Sequence, residues 1–342
     1  MKSLKSILIL TAALSLTLFA VEQTNAQDAR NEAIQLYNQA QELAGSGDFA
    51  NSIDLYREAL EITRANDLND ITELIVERIP RVASSKASNA YRGYQNERTL
   101  ESANRALDAF KEARDVAEEF NNEQVLQQAQ GAIPQLYYIR SVIQFRADNY
   151  DAALEDLDTA IGLNENYAVA YYQRALVTRN QNPGDVEGWL ELYDEAVEVA
   201  RRVNDERTLQ NTLNSAREEL IYRAVNLAEE RQFNRALELL EKVEKYDPES
   251  ADAHYRMAEI YNERGRWDQA LQHATRALEY ETGGVTDRAK IYFELGTAYK
   301  GQGQVENACD AFENARYGEF TEPANHELQF ELKCEGHTPT GR

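Results

Sequence analysis

The sequence predicts an all-α protein, a solenoid of about seven stacked helix pairs closed by a C-terminal capping helix. Three observations predict it. A motif of a small, a bulky and a small residue recurs along the chain at offsets of 0, 4 and 7, which share one helical face. Proline and glycine are scarce, 6 and 16 in 342 residues, too few for the tight turns of an all-β fold. The motif also recurs too often to be local: one helix pair cannot bury its apolar face alone, so repeated pairs must stack.

The elements follow in order. Residues 1–26 have the layout of a secretory signal peptide, with Lys2 and Lys5, an apolar run from Ile7 to Ala20, and Ala26 before the expected cleavage point. The run would rise only about 21 Å as a helix, short of the roughly 30 Å hydrocarbon core. An exported, periplasmic bacterial protein is expected, with no direct membrane insertion once the signal is removed.

Seven second-helix motifs are anchored at Ser52, Ala106, Ala153, Trp189, Ala236, Ala270 and Ala308, with spacings of 54, 47, 36, 47, 34 and 38 residues. The longer spacings predict extended first helices. Asn66-Asp67, Asn121-Asn122 and Asn204-Asp205 stand where a turn and N-cap are needed. Pro80 and Pro134 stand at matching depth and predict a shared kink or break, whereas the third extension has Arg217 there. The first extension also carries an extra loop or lengthening around Tyr94 to Glu101. Trp189 is too large for a close crossing, and the preceding Asn182-Pro183-Gly184-Asp185 is expected to re-angle that pair.

The residues Leu295, Gly296 and Tyr299, then Ala308, Phe312 and Ala315, with Pro248 closing an earlier unit, resemble the tetratricopeptide repeat (TPR) family. That family repeats at about 34 residues. The resemblance covers most of residues 33–322 and implies a right-handed TPR-like superhelix with a concave groove. The domain reading is a signal at 1–26, stretched repeats over 27–205, regular repeats over 206–322, and a capping helix and tail over 323–342. Leu328, Phe330 and Leu332 form the cap's apolar set, and a disulfide between Cys309 and Cys334 would pin it.

The resemblance implies a non-catalytic scaffold that binds a protein or peptide in its groove. The first-helix positions that face the groove in that family fall on Tyr138, Val142 and Phe145, on Tyr172, Leu176 and Arg179, and on Ile221 and Val225. Further along they fall on Tyr255, Glu259 and Asn262, and on Phe293, Thr297 and Lys300. The Lys/Asn clamp with which some members hold a C-terminal carboxylate is not matched. The alternative is a receptor for a small ligand, such as a glycan, stacked on the groove tyrosines.

Charge and motif content exclude other classes. Lys and Arg number 36 against 59 Asp and Glu, a net charge of −23 that repels phosphate backbones and anionic headgroups. No nucleic-acid partner is expected, and the acidic surface favours a basic one. The four histidines, His254, His273, His326 and His337, lack metal-ligand spacing. Gly301-Gln302-Gly303 reads as an inter-helix turn. No enzyme activity, cofactor or metal is expected.

Overall fold

The computed structural model describes residues 26–336, and residues 1–25, with nearly all of the expected signal peptide, lie outside them. The chain folds as two compact units that divide between Trp189 and Leu190. The first contains α1 (26–46), α2 (Phe49–Ala65), α3 (Asn69–Glu97), α4 (Leu100–Glu119), α5 (Glu123–Arg146), α6 (Tyr150–Leu163) and α7 (Ala168–Gln181). Helix α8 (Val186–Arg202) begins in the first unit and ends in the second. The second continues with α9 (Glu206–Glu229), α10 (Phe233–Val243), α11 (Ala251–Glu263), α12 (Trp267–Tyr280), α13 (Val285–Gly301) and α14 (Val305–Asn314). A 3-10 turn (Gly318–Phe320), α15 (Thr321–His326) and a π-helical turn (Glu327–Glu331) follow.

Within the units, α1 packs with α2, α3 with α4, α5 with α6, α9 with α10, α11 with α12 and α13 with α14, as the expected pairs require. Each second helix carries its anchor facing inward: Ser52, Ala106, Ala153, Trp189, Ala236, Ala270 and Ala308 all have 0% exposure. Small anchors let neighbouring helices approach, and the bulky residue between them fills the groove. Ile75, Ile79, Leu107 and Leu136 fill the interior of the first unit. Gly296 confirms a close crossing in the second, because a Cβ there would come within 2.9 Å of the buried Phe312 ring.

The turns follow their local chemistry. Asp67, Asn121 and Asn204 adopt left-handed backbone at the three stretched junctions, a conformation that Asn and Asp tolerate. Asn122 and Asp205 then cap α5 and α9 by accepting from the backbone N–H of Val125 and Thr208, each at 3.0 Å. At the first junction Leu68 holds the N-cap position of α3 without a side-chain bond.

The extra spacing does become helix: α3 has 29 residues, and α5 and α9 have 24 each. Pro80 and Pro134 do not break it. Both helices run uninterrupted through their prolines, which are buried. Neighbouring contacts therefore outweigh the missing backbone donor. The Tyr94 to Glu101 region is a lengthened helix rather than a loop: α3 continues to Glu97, Arg98 turns the chain, and Thr99 forms a capping box with Ser102.

The cap is present and seats Ala324 and Leu328 against Ala308, Phe312 and Ala315. Cys309 and Cys334 form a disulfide with a Cα–Cα distance of 6.0 Å. Phe330 departs from expectation, being 55% exposed. Alternate residues share a face in a strand, but two residues along a helix turn the side chain to the far side. Among the described residues, no helix is long and apolar enough to cross a membrane.

Candidate functional site

The added length of α3 helps to build a tyrosine-lined cleft in the first unit. Its last turns carry Tyr91, Tyr94, Gln95 and Arg98, and the second half of α5 carries Tyr138, Ile139, Val142, Ile143 and Arg146. Together they line a cleft of about 530 Å³. The rings of Tyr91 and Tyr94 lie 5.9 Å apart. Tyr138 meets Tyr167, at the start of α7, edge to face at 5.6 Å. Burial, with Tyr138 and Tyr91 nearby, pushes the Tyr167 hydroxyl up to about 12, so it stays protonated at neutral pH.

Tyr138 and Val142, two of the expected groove residues, line this cleft. Tyr91 and Tyr94 were not foreseen, although their i, i+3 spacing beside an apolar stripe is a legible signal of a shared helix face. Phe145 instead packs on Tyr150 at 5.9 Å, beside the buried cluster of α6 and α7. Tyr172, Leu176 and Arg179 lie half-buried along α7.

In the second unit, Ile221 and Val225 of α9 line a cleft of about 520 Å³ with Arg217, Tyr222, Asp252 and Arg256. Val225 and Glu259 also line a smaller recess of about 130 Å³. Both are rich in mutually compensated charge. Arg217 pairs with Asp247 at 3.1 Å and Arg256 with Glu259 at 2.9 Å.

The other expected groove residues close seams. Tyr255 is buried, donates its hydroxyl to Glu259 at 3.1 Å, and has Arg256 and Lys290 at 4.9 and 4.8 Å from its ring. Asn262 is buried and donates its amide to the Glu294 backbone carbonyl and Oε2, at 2.8 and 2.7 Å. Phe293 is wedged against Phe312 and Phe320. Thr297 is half-buried and donates its hydroxyl to the Phe293 carbonyl. Lys300 Nζ pairs with Glu327 at 2.6 Å and with Glu331 at 3.4 Å, both in the cap. The cap covers the stretch of first helix that would otherwise be open.

Glu294 provides a pH test of this seam. Burial, with Glu259 and Glu263 nearby, raises its carboxyl to about 7 against the Asn262 bond that favours the charge. The unfolded chain loses this proton near its ordinary pKa while the folded chain retains it. Stability is therefore full at low pH and falls as pH rises toward 7. Glu294→Gln should remove that slope and be more stable than the parent at pH 8, by about 1–3 kcal/mol. Urea melts at pH 5 and 8 would check it, and equal losses in both proteins would count against it.

His254 and His273 face each other through Nδ1 atoms 3.1 Å apart, between the rings of Tyr280 and Tyr261. Burial lowers both, His273 to about 4, so the pair is neutral at pH 7. Among the described residues, no group of three or more His, Cys, Asp or Glu could hold a metal.

Stacked helix pairs that share an inward anchor, with clefts between successive first helices, define a helical-repeat scaffold. The chain carries repeats of the tetratricopeptide-repeat family. Models described as tetratricopeptide repeat match residues 227–284, and residues 36–66, 134–167 and 289–315. Among solved structures, MamA from Desulfovibrio magneticus RS-1 is 17% identical, with 56% of this chain and 96% of that one covered and a TM-score of 0.32. YrrB, described as a TPR protein with an unusual peptide-binding site, is 20% identical, with coverage of 62% and 92% and a TM-score of 0.30. A tetratricopeptide repeat protein from Parabacteroides merdae is 13% identical, with coverage of 87% and 100% and a TM-score of 0.27. No curated protein matches. Proteins of this family are in general non-catalytic, protein-binding scaffolds.

Proposed function

We propose that this protein is an exported, non-catalytic scaffold of the cell envelope that holds a protein or peptide segment in the tyrosine-lined cleft of its first unit. The observation that carries this reading is the cleft itself, where Tyr91, Tyr94 and Tyr138 stand beside Ile139 and Val142 around about 530 Å³. That volume suits several side chains of a bound segment. Tyrosine offers a large, rigid contact surface at small entropic cost, together with a polar end that meets backbone groups. Export is supported by the leader pattern at residues 1–26 and by the pairing of both cysteines.

The test is selection from a displayed library of random dodecapeptides, run on the wild type and on Tyr94→Ala with Tyr138→Ala. Selected peptides should bind the double variant roughly tenfold or more weakly, because truncating aromatic anchors removes most of a hot spot. Far-ultraviolet circular dichroism should show the helices intact. Peptides that bind both proteins equally would rule out this cleft. Binding confined to a glycan array would favour the small-ligand alternative.

A further inference from the structure

We infer that the segment held in the tyrosine cleft is acidic, with carboxylate side chains interspersed among aromatic or aliphatic ones; this rests on the peptide-binding reading above. The chain has 59 acidic and 36 basic residues, so a cavity lined without bias would show more carboxylates than cations. Two clefts of the second unit do: Glu218, Asp247, Asp252 and Glu281 line one, and Glu229, Glu259 and Glu263 the other, whereas a third recess there has Arg231, Arg235 and Arg264 with no carboxylate and no aromatic beyond Phe233. The tyrosine cleft reverses the balance. Its lining has Arg98 and Arg146 and no carboxylate.

Both guanidinium groups are also available. Arg98 caps the C-terminal end of α3, Arg146 is the last residue of α5, and both are exposed. Neither makes an ion pair among the described residues, whereas Arg30, Arg57, Arg81 and Arg105 of the same unit all do. The acids nearest to them in sequence are engaged elsewhere. Glu97 pairs with Arg105 at 2.5 Å, and Asp148 accepts the Tyr150 hydroxyl at 3.0 Å.

A guanidinium is a planar fork of donors that matches a carboxylate in two parallel bonds. Two of them beside Tyr91, Tyr94, Ile139 and Val142 suit a segment in which acids flank apolar side chains. The negative field of the whole protein opposes a densely charged polyanion at longer range. Together these select a segment with a few well-placed carboxylates. The overall acidity of the chain pointed to a basic partner; the local lining of the cleft points the other way.

The experiment repeats the random dodecapeptide selection on three proteins: wild type, Arg98→Asn with Arg146→Gln, and the tyrosine double variant. Asn is chosen at Arg98 because the backbone there has φ +52°, which Asn tolerates. The wild type should enrich peptides with excess Asp and Glu. The arginine variant should lose that excess and bind the wild-type peptides roughly three- to tenfold more weakly, the range for one or two partly exposed charge pairs. Peptides enriched in Lys and Arg, or showing no charge bias, would overturn the inference but leave peptide binding standing. An acidic bias that persists in the arginine variant would overturn it as well. Failure of the wild type to enrich any peptide over the tyrosine variant would overturn both.

Discussion

Replacing Cys309 and Cys334 by serine, or reducing the bridge, should detach the cap and lower the stability of this end of the second unit by about 3.5 kcal/mol. The figure is the chain-entropy value for a 25-residue separation. Besides the bridge, the cap is held by the apolar contacts of Ala324 and Leu328 and by little else. α15 has only six residues, and Lys300 of α13, which pairs with the π-helical turn after it, keeps 35% side-chain exposure, so its bonds to Glu327 and Glu331 contribute about 1 kcal/mol or less each. What the cap covers is apolar: Phe312 and Ala308 have 0% exposure. Repeat proteins open from their ends, so a global midpoint would dilute the effect. Amide hydrogen exchange reads it locally, at the Cys334 N–H bonded to the Leu328 carbonyl at 2.9 Å. Loss of protection there under reducing conditions, with the first unit unchanged, is the expected result. Full protection in the reduced protein would show that apolar packing alone seats the cap.

The second large effect is expected at Trp189. Five of the seven anchors are Ala, so Trp189→Ala restores the common residue of the repeat. It should nevertheless destabilise by about 3–5 kcal/mol. Trp189 has 0% exposure and is the largest fully buried side chain described. A methyl group in place of a fully enclosed indole leaves a cavity that the surroundings only partly close. Urea denaturation followed by far-ultraviolet circular dichroism would measure it. A loss below about 1 kcal/mol would mean that the neighbouring helices close around alanine freely.

The repeat was legible because its signal is local. Anchors, N-caps and turn residues sit within a few positions of one another, and helical geometry alone decides which share a face. That is why Ala106, Ala153, Ala236, Ala270 and Ala308 could be aligned across the chain, and why Asn122 and Asp205 could be placed at helix starts. The length of α3, α5 and α9 was legible from spacing in the same way. The prolines do not break α3 or α5, because a buried proline in a well-packed helix loses one backbone bond without losing the helix.

The candidate site was legible only in part. Tyr138 and Val142 are in the cleft, but Tyr91 and Tyr94 complete it because α3 continues to Glu97 and brings its last turns beside α5. Tyr255, Asn262, Phe293 and Lys300 have the register expected of groove residues but do not line the tyrosine cleft. Their exposure was reduced by groups far away in sequence: Glu294 lies 32 residues after Asn262, and Glu327 lies 27 after Lys300. The sequence by itself determined the helices, their pairing and the inward anchors, because 3.6-residue periodicity acts over a few residues. Which first-helix side chains remain open to a partner was decided by the tertiary structure, because solvent exposure depends on what the next helix and the cap place above each of them.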